Sequence, residues 1–286
     1  MNRSDAKPTE CRAEFQILTT RFTVAAVGSK AVATLRFLPS GIVYDLPPRR
    51  QRNIAMTHRE VQYEIAIDDG PPREEGDAAL AMQWLHEVST KSALEDHGQG
   101  VALSAGSAVV DGRRILFAGG DRLTRTCLAM RLLLDGHDVE SDRYSLIDGD
   151  GGTGLALRLP LVETALAEIP ELKSVPPSVP SVVDERDFRV YLFSPTDFGL
   201  ESRVTRGPVD AIFLLDVNRG GDTRIASARR LDVLEALVPD GVAWRPPEGD
   251  WIGPLTAAVG QAKTYRLFYG DVAAAERLIE EKLAAL

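Results

Sequence analysis

The stretch that decides the fold is Arg114–Leu134, RILFAGGDRLTRTCLAMRLLL. An apolar run enters Gly119-Gly120, and a run with helical spacing of apolar residues continues from about Leu123. A buried strand, a glycine turn and a helix whose first amides face outward form the arrangement that binds phosphate groups. We therefore interpret Gly119–Thr126 as a candidate anion-binding loop.

The loop matches the phosphate-binding pattern only in part. That pattern requires Gly, four residues, Gly, Lys and then Ser or Thr. Aligned on Gly119, the final hydroxyl is present as Thr126, but the second glycine is Thr124 and the lysine is Arg125. A β-branched residue resists positive φ, and a guanidinium is a planar fork rather than a compact ammonium. The pattern indicates a degenerate phosphate loop, whose candidate ligands are Gly119, Gly120, Arg122, Arg125 and Thr126. A plain strand-to-helix turn at Gly119-Gly120 is the alternative.

The flanking sequence predicts an α/β unit. Asp111-Gly112 lies between two apolar runs, Val101–Val110 and Arg114–Ala118, which is a strong hairpin signal. A helix is expected from about Leu123 to Leu134, and a strand from Arg143 to Asp148. Strand, turn, helix and strand in about 35 residues have the size of a βαβ unit.

The rest of the chain divides by composition. We expect a flexible tail over residues 1–12, a small β-rich domain over 13–76 and an α/β core over 77–286. The proline- and glycine-rich segment 68–76 is the linker candidate, and Asp77 is placed to cap a helix over 78–96. Residues 149–154, GDGGTG, are expected to form a turn. Helices are expected at about 227–238, 254–262 and 272–286. The nearly all-apolar run Val209–Val217 predicts a strand covered on both faces.

Composition excludes several classes of function. The 286 residues include 33 Lys and Arg against 42 Asp and Glu, a net charge of −9. An acidic chain is a poor candidate for binding nucleic acid or anionic membranes, and no run reaches about 18 apolar residues. The two cysteines form no CxxC pair and the four histidines lack metal-ligand spacing, so neither a disulfide framework nor a zinc site is expected. These features favour a cytoplasmic protein.

Three segments in order carry a resemblance to a known family. They are ALSAGSAVVDGRRILF (102–117), GHDVESDRYSLID (136–148) and TYRLFYGDV (264–272). Together with the loop they resemble the HPr serine kinase-like proteins over about residues 78–286. That group is related in its nucleotide-binding core to phosphoenolpyruvate carboxykinase. The resemblance implies an HPr-kinase/phosphoenolpyruvate-carboxykinase-like core behind the small N-terminal β-rich domain, with ATP and Mg²⁺ as possible cofactors.

The resemblance also implies roles for individual residues. Asp142 matches the aspartate expected to act as the base for the acceptor hydroxyl, and Thr126 matches the hydroxyl that would hold Mg²⁺. Ser104 stands where relatives have histidine, and Arg143 replaces a second acidic residue. Asp121 places a carboxylate inside the loop, where it would repel phosphate unless Arg122 offsets it.

These losses favour a divergent, catalytically weak or inactive member of the group, a pseudokinase that serves as a binding or regulatory partner for a protein or peptide. The alternative is an ATP-dependent serine kinase in which Arg125 and Thr126 hold the phosphates and Asp142 activates the acceptor. A homo-oligomeric scaffold is a third hypothesis. Two questions stay open: whether Asp142 pairs with Arg143 or Arg131 instead, and whether His137 acts as a proton shuttle.

Overall fold

The computed structural model describes residues 9–59, 61–183, 187–239 and 241–286. The N-terminal part is built on a five-stranded sheet in the order β1-β2-β4-β5-β6, in which only β2 and β4 pair parallel. Its elements are β1 (Glu10–Ile17), β2 (Thr20–Val27), α1 (Ser29–Thr34), β3 (Ile42–Tyr44), β4 (Arg50–Arg59), β5 (Gln62–Ile67) and β6 (Arg73–Glu75).

Alternation of apolar and polar residues gives this sheet one buried face. Phe15 of β1 lies opposite Phe22 of β2, and their rings stack at 5.0 Å. Helix α2 (Ala78–His97) covers that face. The Asp77 carboxylate caps α2 by accepting from the Leu80 amide at 2.9 Å, and Gly98 ends the helix in the left-handed region.

The remaining elements form the core. The strands are β7 (Val101–Leu103), β8 (Ala105–Val110), β9 (Arg113–Gly119), β10 (Asp138–Ser141), β11 (Ser145–Asp148), β12 (Gly151–Gly154), β13 (Leu159–Val162), β14 (Ser181–Val183), β15 (Arg189–Phe193), β16 (Ser202–Val204), β17 (Ala211–Val217), β18 (Arg224–Ser227), β19 (Val242–Trp244) and β20 (Lys263–Tyr269). The helices are α3 (Arg122–Leu134), α4 (Arg230–Leu237), α5 (Ile252–Gln261) and α6 (Val272–Ala284). Short 3₁₀ turns occupy Leu35–Phe37, Glu163–Glu168, Pro170–Leu172 and Pro195–Phe198.

A six-stranded sheet in the order β10-β8-β9-β17-β20-β18 organises the core. Helices α3 and α6 pack on one face, and α4 and α5 pack on the other. The prediction that the run 209–217 is covered on both faces is confirmed, because β17 is central and residues Ala211–Leu215 are buried. No helix in the described ranges is long and apolar enough to cross a membrane.

Three smaller sheets complete the structure. Their orders are β12-β11-β7-β19, β13-β15-β14 and β16-β3. The parallel β16-β3 pair joins the N-terminal part to the core through backbone hydrogen bonds. Within the N-terminal part, an ion pair fastens α2 to the sheet, because the Arg52 guanidinium of β4 forms two hydrogen bonds with the Asp96 carboxylate of α2, at 2.7 and 2.9 Å.

The local predictions around the loop are confirmed. Asp111 and Gly112 have φ of 50° and 76° and join β8 to β9 as a two-residue hairpin. Helix α3 begins one residue before the expected start and ends at the expected Leu134.

Other sequence expectations are wrong. The run 101–110 is not one strand, because Ser104 separates β7 and β8, which belong to different sheets. The βαβ unit does not form either, since β11 lies outside the sheet that holds β9. Residues 151–154 form a strand rather than a turn, and Ser227 ends a strand rather than beginning a helix. Strand β1 starts at Glu10, inside the expected tail, whose first eight residues lie outside the described residues.

Candidate functional site

The parallel strands β9, β17 and β20 end at one edge of the six-stranded sheet. Ligands of open α/β sheets bind at the carboxyl ends of such strands. Gly119 and Gly120 lie at this edge with φ of 74° and 59°, values that favour glycine. Both residues are exposed, and α3 begins directly after the bend. The structure thus has the predicted strand, glycine turn and helix.

The chain's own carboxylate occupies the start of α3. Asp121 is the N-cap residue, and its Oδ1 accepts from the Thr124 amide at 2.7 Å and from the Thr124 hydroxyl at 2.9 Å. In a phosphate loop, the amides of this first turn point at the ligand. Here one of them is already bound to an internal anion.

Arg219 neutralises that carboxylate. Arg219 lies just after β17. Its guanidinium donates to Asp121 Oδ2 at 3.1 Å, to Asp121 Oδ1 at 3.3 Å and to the Thr124 hydroxyl at 3.1 Å. Burial alone would raise the pKa of Asp121, but the hydrogen bonds from Thr124 and Arg219 outweigh it and hold that pKa below its usual value. The sequence analysis assigned this compensation to Arg122, which forms no ion pair with Asp121 in the described residues.

Arg125 turns into the protein rather than toward a ligand. Its Nη1 donates to the Gly119 carbonyl at 3.0 Å, and its Nη2 lies 3.4 Å from the Ser104 hydroxyl. The residue is only 8% exposed. Burial lowers the pKa of the Arg125 guanidinium, while the charge of Asp142 acts in the opposite direction. The expected phosphate clamp is therefore engaged by the backbone of its own loop.

Asp142 and Thr126, to which the resemblance gives the roles of base and Mg²⁺ ligand, are in direct contact. The Thr126 hydroxyl donates to Asp142 Oδ2 at 2.6 Å, and both residues are buried. Mg²⁺ in proteins is usually held by one or two carboxylates together with waters and substrate phosphates, and here the Asp142 carboxylate already accepts the Thr126 hydroxyl. The guanidinium groups of Arg122, Arg125 and Arg143 are the positive charges nearby. One internally bonded carboxylate beside three cations does not favour a divalent cation, and no cluster of three His, Cys, Asp or Glu suited to a metal occurs among the described residues.

Two cations remain at the surface beside this pair. Arg122 is exposed at the first position of α3, and Arg143 is half-buried with its guanidinium 4.7 Å from the Tyr144 ring centre. Neither forms an ion pair with a carboxylate in the part of the chain that the structure describes. A cation at a helix N-terminus opposes the helix dipole, so Arg122, together with Arg143, favours a bound anion at this edge.

The remaining candidates lie elsewhere. His137 Nε2 lies 3.0 Å from the Glu280 carboxylate of α6. This contact with α6 does not support a proton-shuttle role for His137 at Asp142. Arg131 pairs with Glu276 at 2.6 Å and with Asp135 at 3.0 Å, so the alternative pairing of Asp142 with Arg131 is wrong. Asp142 forms no ion pair with Arg143 among the described residues either.

Comparisons with known proteins show a distant likeness among solved structures. No protein-family model and no curated protein matches the chain. Among solved structures, the chain is similar to an HPr(Ser) kinase/phosphatase from Coxiella burnetii, with 12% sequence identity and a TM-score of 0.33. The match covers 64% of this chain and 97% of that one. A likeness this distant decides nothing about activity or about the role of any residue.

Proposed function

We propose that this chain is a divergent HPr-kinase-like protein that transfers no phosphoryl group and serves as a binding or regulatory partner for a protein or peptide. One observation carries the proposal: the Asp121 carboxylate accepts the Thr124 amide at 2.7 Å, where a phosphate oxygen would bind. A nucleotide would have to displace this cap, which is worth about 1 kcal/mol, and bring more negative charge to the same place.

The orientation of Arg125 supports the same conclusion. Phosphoryl transfer depends on positioning and on neutralising the charge of the transferred group. A cation that donates to the Gly119 carbonyl at 3.0 Å does not face that group. Turning it outward would leave the carbonyl and the buried Asp142 without its positive charge.

The exposed cations suggest what the partner carries. Arg122 and Arg143 lie near the buried Asp142 and, unlike Arg219, form no ion pair with a carboxylate among the described residues. An anionic side chain of a protein or peptide, either a carboxylate or a phosphorylated hydroxyl, complements them. The overall charge of −9 argues against general attraction of anions, so this recognition would be local.

A serine kinase is the second candidate, because the Asp142–Thr126 contact at 2.6 Å keeps two residues that the family resemblance assigns to transfer. In that case Asp142 would accept the proton of an acceptor hydroxyl while the hydroxyl oxygen takes the γ-phosphoryl group of ATP and ADP leaves. Burial of Asp142, at 4% exposure, requires the loop to open before an acceptor reaches it.

A transfer assay separates the two functions. The wild-type protein is incubated with labelled ATP, Mg²⁺ and a serine-peptide library, and phosphate release and peptide labelling are both counted. We expect the wild type and Asp142→Asn to give the same background, because Asp121 already binds the Thr124 amide and Arg125 already binds the Gly119 carbonyl of the loop that would hold the phosphates. Turnover above background in the wild type that disappears in Asp142→Asn would establish the kinase instead.

A further inference from the structure

We propose that strand β1 is a dimerisation edge that pairs antiparallel with β1 of a second copy of this chain, joining two five-stranded sheets into one. The inference concerns the N-terminal sheet and does not depend on the phosphate loop. Open strand edges are templates for pairing, and natural proteins normally shorten, bulge or cover them.

Strand β1 is neither short nor bulged in the described residues, and its charged side chains, Glu10, Arg12 and Glu14, carry both signs, so they can complement those of a second copy. It runs for eight residues, Glu10–Ile17, and pairs with β2 in unbroken register from Glu10↔Val27 to Ile17↔Thr20. It contains no proline and no bulge. Its only strand partner in the described ranges is β2, and the residues from Glu10 to Arg12 are exposed.

The hairpin fixes which backbone groups face outward. Ile17 and Thr20 close a two-residue turn, so Ile17 and every second residue before it bond to β2. The Gly28 amide, which donates to the Thr9 carbonyl at 2.8 Å, confirms this alternation at the other end. The N–H and C=O groups of the even-numbered residues therefore point away from the sheet. These residues are Glu10, Arg12, Glu14 and Gln16.

Charge complementarity selects a second copy as the occupant. In a twofold pairing centred on Ala13, Arg12 lies opposite Glu14 of the partner, and the symmetry produces this contact twice. Glu10 then lies opposite Gln16, so no like charges meet. Seven of the eight residues of β1, 10–16, lie opposite a β1 residue of the partner, with about eight backbone hydrogen bonds between the copies.

The neighbouring registers are worse. Sliding the partner by two residues one way places Arg12 opposite Arg12 and Glu10 opposite Glu14. Sliding it two residues the other way places Glu14 opposite Glu14. Like charges directly opposite each other on adjacent strands are destabilising. A slide of four residues makes Glu10–Arg12 contacts and brings Cys11 opposite Cys11, but it leaves most of the strand without a β1 partner.

Sedimentation velocity over a range of protein concentrations tests the proposal. We expect the wild type to dimerise under reducing conditions. Arg12→Glu and Glu14→Arg each create two like-charge contacts and should raise the dimer dissociation constant about tenfold or more. The double exchange Arg12→Glu with Glu14→Arg restores both contacts and should return the constant to within about threefold of the wild type.

A proline variant and a cross-link keep the test independent of charge. Arg12→Pro removes an outward N–H while leaving the bonds to β2, so it should give a folded monomer, as shown by an unchanged far-UV circular dichroism spectrum. In a Cys11→Ser background, Ala13→Cys should form a disulfide-linked dimer on oxidation. A wild type that stays monomeric, or a dimer indifferent to Arg12→Glu, Glu14→Arg and Arg12→Pro, would overturn the proposal. Oxidative cross-linking through the native Cys11 would overturn the register.

Discussion

Replacing Glu140 with alanine is expected to lower the free energy of unfolding by about 3–5 kcal/mol, because it leaves a buried charge unpaired. Glu140 is fully buried and accepts from Arg114 Nε at 3.1 Å and from Arg114 Nη2 at 2.9 Å. It also accepts the Thr205 amide at 3.0 Å. The variant therefore leaves the Arg114 guanidinium and the Thr205 amide without this hydrogen-bond acceptor in the interior, between β9, β10 and the segment after β16.

Urea unfolding followed by circular dichroism measures this loss. The matched control is Glu281→Ala, which removes an exposed helical ion pair with Arg277 whose N–O distance is 3.9 Å. Such a pair is worth about 0.5 kcal/mol or less. If Glu140→Ala is no less stable than Glu281→Ala, the buried pair does not hold β9 and β10 as described.

Replacing Asp148 with alanine is expected to cost about 3 kcal/mol or more. The Asp148 side chain is 1% exposed, and its Oδ2 lies 2.9 Å from His97 Nε2 and 2.8 Å from Arg206 Nη2. Its Oδ1 accepts the Asp150 amide at 2.9 Å. These bonds tie the end of α2 to the end of β11, so their loss weakens the contact between the N-terminal part and the core.

The stabilisation that the Asp148 carboxylate provides should decrease at acidic pH. Burial alone would raise the pKa of Asp148, but the His97 and Asp150 hydrogen bonds and the charge of Arg206 hold it below its usual value. A depressed carboxyl pKa stabilises the fold above the unfolded pKa, about 4, and that contribution is lost as pH falls through the folded value. The stability difference between wild type and Asp148→Ala should therefore shrink below about pH 4. The control is Asp216→Ala, which removes an exposed pair with Arg266 at 3.5 Å and should cost little at any pH.

The local parts of this structure could be predicted from the sequence. The Asp111-Gly112 turn, the cap at Asp77 and the bend at Gly119-Gly120 depend on residues a few positions apart, whose conformational preferences are written in the chain. The family resemblance assigned Asp142 and Thr126 to one site, but it did not predict the hydrogen bond between them, which joins residues 16 positions apart.

The long-range parts could not be predicted. Arg219 follows Asp121 by 98 residues and reaches it only because β17 lies beside β9 in the sheet. The sequence did place Arg219 just after the apolar run 209–217. Without the strand order, however, it could not show that this run lies beside the strand that leads to Asp121. Nothing in the sequence around Ser104 indicates that the strands on either side of it belong to different sheets.

The closure of the loop was partly foreseen and partly misassigned. The sequence analysis recognised that Thr124 and Asp121 are unsuited to a phosphate loop. It did not foresee that Asp121 Oδ1 caps the helix by accepting the Thr124 amide at 2.7 Å, with the Thr124 hydroxyl donating to the same oxygen at 2.9 Å. A capping residue and an anion ligand compete for the same amides, and only the geometry shows which one occupies them.

Calorimetric titration of the wild-type protein with ATP and Mg²⁺ tests the central claim most directly. We expect no binding heat and no rise in the melting temperature at millimolar ATP. The reason is that Asp121 already binds the Thr124 amide and Arg125 already binds the Gly119 carbonyl. Occupation at about 100 times the dissociation constant would add about 2.7 kcal/mol of stability, which is readily measured. Saturable binding of ATP that is lost in Arg125→Ala would show that the loop holds phosphate, and would contradict the account.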